Sequence, residues 1–90
     1  MDRMAKMLRI KRLIETEQVS EADRILLDEV QLREKYKPVF CEACINPKFI
    51  SSYSPCTNYP YQTVIEFMNG QQTVIDMEFE EFHKMVSDCE

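Results

Sequence analysis

The sequence predicts an α+β fold: an N-terminal helical hairpin, a small antiparallel β-meander of three or four strands, and a C-terminal amphipathic helix. Three observations carry that prediction. Residues 3–36 are rich in strong helix formers and contain neither glycine nor proline. The stretch "TVIEFMNGQQTVIDM", residues 63–77, sets two β-rich runs on either side of Asn69-Gly70. The tail "EFEEFHKMVSDC" returns to helical spacing. A chain of 90 residues argues for one domain spanning 1–90. It divides into the helical hairpin (1–37), the meander (38–77) and the last helix (78–90).

The first helix is expected over residues 3–15, "RMAKMLRIKRLIE". On a helix, Met4, Met7, Leu8, Ile10 and Ile14 gather on one broad side and Lys6, Arg9 and Arg12 lie mostly opposite. The stripe is imperfect, with Lys11 inside it and Leu13 outside it. The second helix is marked by Ser20, whose hydroxyl suits an N-cap, and by Glu21 and Asp23 in the dipole-favoured first turn. Ala22, Ile25, Leu26, Leu27, Val30 and Leu32 wrap more than half of it, so contact with both the first helix and the sheet is expected. Glu29 and Arg33 form a favourable i,i+4 pair, and Pro38 stops the helix after Tyr36.

"VFCEACI" alternates as a strand, "FISSYS" suits another short strand, and "PCTNYPY" reads as a loop ordered by its aromatics. The hairpin at Asn69-Gly70 permits two registers. A two-residue turn would put Glu66 on a face with Val64, Met68, Ile75 and Met77. A three-residue loop, Met68-Asn69-Gly70, pairs Phe67 with Gln71, Ile65 with Thr73 and Thr63 with Ile75. The second register places Ile65, Phe67, Ile75 and Met77 together and leaves Glu66, Gln72 and Asp76 on the other face. Separation of polar from apolar favours it, with Gly70 left-handed in a G1 bulge. After the hairpin, Phe79, Phe82, Val86 and Cys89 form one stripe over about 78–88, with Met85 at its edge. Glu78, Glu80 and Glu81 occupy the favourable first turn.

Within residues 45–86, Asn46-Pro47-x-x-Ile50 precedes a short strand, a hairpin turns at x-Asn-Gly, and a helix begins x-x-Phe79-Glu80-Glu81-Phe82. This pattern resembles short flagellar FlbD-like proteins and small phage-type proteins built as a β-meander plus a helix. The resemblance implies that fold and a non-enzymatic role in regulation or binding. It carries over no catalytic residue. The helical hairpin of residues 3–36 lies outside it, and the loop from Cys56 to Tyr61 reads as an insertion. Those two parts are expected to carry this protein's own specificity.

The net charge is −5, unevenly spread. Residues 1–14 hold Arg3, Lys6, Arg9, Lys11 and Arg12 against Asp2 alone, so the rest of the chain is strongly acidic. A solvated helix face explains the basic arm most simply. A nucleic-acid contact through Arg3, Lys6, Arg9 and Arg12 is the alternative. No run is long and apolar enough to span a membrane, and the start lacks the pattern of a secretory signal, so a cytoplasmic setting with reduced thiols is expected. Cys41-x-x-Cys44 could join Cys56 and Cys89, or His83, around zinc. However, "CEACI" has no knuckle glycine or proline, and on a strand Cys41 and Cys44 point to opposite faces. Buried structural thiols are the simpler reading, with no cofactor and zinc as the alternative. The phosphate-loop and dinucleotide fingerprints are impossible with one glycine. His83 reads as a residue at the edge of the apolar stripe, with no carboxylate–nucleophile constellation around it, so no enzyme is expected.

Phe49, Tyr53, Tyr59 and Tyr61 are dense for a loop region, and tyrosine suits interfaces. With the acidic Glu78, Glu80 and Glu81 they are the expected partner-binding residues. The expected function is a small non-enzymatic regulator or inhibitor acting by protein–protein contact, with self-association as a further expectation for so small a core. Size and acidity fit a phage-encoded, anti-CRISPR-like protein that blocks the basic groove of a host nucleic-acid-handling or defence complex.

Overall fold

In a computed structural model, residues 7–89 can be described. Strand β1 (Leu8–Glu15) leads into two short helices, α1 (Glu21–Leu26) and α2 (Glu29–Tyr36). Strand β2 (Val39–Ile45), a 3-10 turn at Pro47–Phe49, and strands β3 (Ile50–Pro55), β4 (Thr63–Phe67) and β5 (Gln72–Ile75) follow, and helix α3 (Phe79–Asp88) closes the chain. The fold is therefore mixed α+β, with one antiparallel sheet in the order β2-β1-β5-β4-β3.

Residues 8–15 are a strand and not the expected first helix. Leu8 and Ile10 are buried, while Arg9 between them and Lys11 after them are exposed. That alternation satisfies a strand, and both β2 and β5 pair with its backbone. Helix propensity differs by no more than about 0.7 kcal/mol among ordinary residues, so long-range pairing overrides it. The sheet accordingly has five strands, one more than the upper expectation. The helical pair that does exist is α1 and α2, inserted between β1 and β2.

The hairpin of β4 and β5 pairs Thr63 with Ile75 and Ile65 with Thr73. The Phe67 N–H donates to the Gln71 carbonyl at 2.8 Å and the Gly70 N–H to the Phe67 carbonyl at 2.9 Å. Gly70 has φ +90°, a conformation that costs a side-chain-bearing residue dearly. The result is a three-residue connection, and it directs Ile65, Phe67 and Ile75 to one face.

All five strands feed one core. Leu8, Ile10, Ile65, Ile75 and Phe82 are buried together, with Ala43, Ile45, Ile50, Tyr53 and Phe67 packed around them. In a flat sheet the two edges, β2 and β3, would stand roughly 19 Å apart. Ile45 and Ile50 share this cluster and are joined through a single 3-10 turn, so the sheet curls strongly toward α3. Phe82, Met85, Val86 and Cys89 of the last helix fill the curl. The Thr63 hydroxyl, buried at its rim, donates to the Met77 carbonyl at 2.8 Å.

A second cluster lies between the helices and the 56–62 loop. Val19, Leu32 and Tyr59 are its buried members, flanked by Leu27, Tyr36, Cys56 and Tyr61. Arg33 of α2 contacts Asp76, which follows the core-facing Ile75 just past the end of β5, and Phe40, which precedes Cys41 on β2. The helices therefore sit against the outer surface of the curl, opposite the side filled by α3.

Candidate partner-binding surface

The α1–α2 unit is two helices because of one residue. Asp28 accepts a hydrogen bond from the Gln31 N–H at 2.8 Å, and the Gln31 side chain accepts one from the Asp28 N–H at 3.1 Å. This capping box starts α2 afresh and ends α1 at Leu26, where a single long helix was expected. Ser20 caps α1, its hydroxyl accepting from the Asp23 N–H at 3.2 Å.

Polar latches fix the pair to the sheet and the loop. The Val19 N–H donates to Asn58 Oδ1 at 2.7 Å. Asp23 accepts from Lys35 Nζ at 2.6 Å and from the Tyr36 hydroxyl at 2.5 Å. These bonds, Lys35 first, hold the Asp23 carboxyl below its ordinary value. Arg33 bridges Asp76, just past the end of β5, and Glu29 of its own helix, and its guanidinium lies 5.6 Å from the Phe40 ring centroid. The Asp76 bond raises the pKa of Arg33 further, so it is charged at every accessible pH. Burial pushes the Tyr59 phenol upward.

With Leu32 inward, other apolar residues of the two helices point out. Ile25 is 76% exposed, Leu26 75% and Val30 69%. They stand at the corner where α1 meets α2. Helical i,i+4 spacing aligns Glu21 with Ile25 and Glu34 with Val30, and both glutamates are exposed. The corner is thus an apolar patch with acidic flanks. The expectation that these side chains pack on a first helix and the sheet fails, because residues 8–15 form no helix and only Leu32 reaches full burial.

The residues expected to bind a partner do not form one surface. Tyr59 is fully buried, so it is a core residue and not a contact residue. Tyr61 is half-buried beside it. Tyr53 packs edge-on against Phe82 at 5.1 Å between centroids, and its hydroxyl is 2.7 Å from His83 Nδ1. Phe49 is exposed at the 3-10 turn, next to Met68 of the hairpin loop. Glu78, Glu80 and Glu81 are exposed at the start of α3.

Of the basic residues, Arg3 and Lys6 lie outside the described residues. Arg9 and Arg12 point to opposite faces of β1, and Arg9 contacts Glu42 at 3.5 Å, so they form no helical stripe. Cys41 and Cys44 point to opposite faces of β2, and both are exposed, which corrects the expectation of buried thiols. Cys56 belongs to the second cluster and Cys89 to the first. Among the described residues no three histidine, cysteine, aspartate or glutamate side chains gather as a metal site.

Comparison with family models, with curated proteins and with solved structures finds no match, which neither supports nor opposes the resemblance over residues 45–86.

Proposed function

We propose that this protein is a non-enzymatic binding module whose partner is another protein, docked on the α1–α2 corner. The observation that carries this reading is the exposure of Ile25, Leu26 and Val30 on a unit that polar latches hold rigidly open. Burying an aliphatic side chain of this size is worth about 1.5–3 kcal/mol, so the corner offers docking energy that folding leaves unused. Glu21 and Glu34 beside it favour a partner with basic groups around an apolar contact. Inhibition of a nucleic-acid-handling or defence complex is the narrower form of this reading, since such complexes present basic grooves.

The test is photocrosslinking in cells that naturally make the protein, with the reactive group at Leu26 and, as control, at Ser52. A discrete protein adduct from Leu26 alone is expected, and it should disappear when Val30→Glu is added. Equal labelling from both positions, or an adduct indifferent to Val30→Glu, would refute docking at the corner. Zinc content and salt-dependent DNA or RNA binding of the same preparation address the zinc-stabilised and nucleic-acid-binding alternatives.

A further inference from the structure

The two edges of the sheet are protected very differently. Edge strand β3 carries Pro55, which has no N–H to donate, and its register breaks between Ile50 and Ser52. Both features discourage the addition of another strand. Edge strand β2 has no proline, and the one register shift in its pairing with β1 lies at its Val39 end, where the extra residue, Ile14, belongs to β1. It pairs with β1 in unbroken register from Ile45 to Phe40 and carries a single charge, Glu42. Among the described residues β1 is its only strand partner, so the hydrogen-bonding groups of its outer side are free.

We propose that β2 is a self-association edge, which pairs antiparallel with β2 of a second copy about a two-fold axis through Ala43. The axis follows from charge. A two-fold through Glu42 sets two carboxylates face to face. One through Cys41 aligns Arg12, Cys41, and then Cys41 and Arg12 of the second copy, so that two guanidinium groups converge over small thiols. The two-fold through Ala43 has neither fault. It places Glu42 opposite Cys44 of the second copy, and beyond that cysteine stands Arg9 of the second copy, because Arg9 pairs with Cys44 within each chain.

On its other side Glu42 has Lys11 of its own chain, and Arg9 of its own chain at 3.5 Å. Each carboxylate is then bracketed by cations, and the small Cys44 leaves the arginine room to reach across. At the centre Ile10, Ala43 and their symmetry equivalents form an apolar row. Opposite-charge neighbours of this kind stabilise cross-strand pairing, and a two-fold axis supplies each of them twice. This edge is separate from the helical corner and does not depend on it.

Sedimentation velocity of the full chain over a dilution series tests the pairing. A weak, reversible dimer is expected, since one pair of strands buries less than a standard interface. Cys44→Glu sets a carboxylate opposite Glu42 of the second copy, twice per dimer, and should raise the dissociation constant about tenfold. Adding Glu42→Lys to that variant should restore it. Both positions are exposed, and circular dichroism checks that the variants remain folded. A monomer at every concentration, a dimer indifferent to Cys44→Glu, or a dimer lost with Leu26→Glu would each overturn the proposal. The last result would seat the second copy on the helical corner.

Discussion

Beneath α3, Leu8, Ile10, Ile65, Ile75 and Phe82 meet through hydrocarbon alone, whereas beneath α2 the small apolar group of Val19, Leu32 and Tyr59 is ringed by charge. The first cluster draws on every strand. The second is fastened by Arg33 to Asp76, by Asp23 to Lys35 and Tyr36, and by Asn58 to the backbone of Val19. Packing of the first kind has no charge to titrate or screen, while latches of the second kind respond to both pH and salt. The difference also explains the exposed corner: helices that are latched by polar groups need to bury few of their own apolar residues.

Three measurements would break or sharpen this contrast. The largest effect is expected from Phe82→Ala. The side chain is fully buried among strands from both halves of the sheet, so its loss should cost about 3–5 kcal/mol and lower the stability of the whole chain in denaturant titration. Leu32→Ala should cost less, about 2–3 kcal/mol, because the second cluster is small and open enough to collapse around the gap. Hydrogen exchange should show that cost mainly in residues 19–36, with the β4 and β5 amides still protected. Equal loss of protection everywhere would mean that the two clusters form one cooperative unit.

The smallest effect is expected from acid. Asp23 is held below its ordinary value of 3.8 in the folded chain. Its contribution is therefore fully present above that value and lost as pH falls through the lower, folded one. The Ser20 amide, which donates to the Tyr36 hydroxyl, should shift in NMR spectra over that range, while the Ile65 amide stays fixed. A matching shift at Ile65 would show that the latch and the core titrate together.

These two regions also differ in how readily the sequence discloses them. The β4–β5 register is legible because Gly70 must take a positive φ and because one of two registers separates Glu66 and Asp76 from Ile65 and Ile75. The stripe of α3 is legible for the same kind of reason, a period that local geometry enforces. Strand β1 is harder. Met4, Ala5, Lys6 and Met7 favour a helix, and the competing signal, Leu8-Arg9-Ile10-Lys11, is only four residues long. Its outcome is decided by pairing with β2 and β5, both distant in sequence.

The corner carries a local signal of its own. Asp28 and Gln31 are spaced as a capping box, and a helix that begins there breaks the i,i+7 alignment of Ile25 with Leu32, while Val30, two residues before Leu32, lies on the far side of α2 in any case. Tyr59 shows the opposite limit: nothing near it in sequence announces that a loop tyrosine will be enclosed by α2.

The place of β1 has a consequence for the order of folding. Among the described strands, the earliest in sequence lies inside the sheet, and one of its neighbours, β5, is the latest. During translation β1 and β2 can pair once Ile45 has emerged, yet Leu8 and Ile10 stay uncovered until Ile75 and Phe82 arrive. A growing chain therefore shows a half-paired, apolar hairpin to its surroundings for much of its synthesis. Closure of long loops between sequence-distant strands is slow, so this species is the one on which a chaperone or a protease would act.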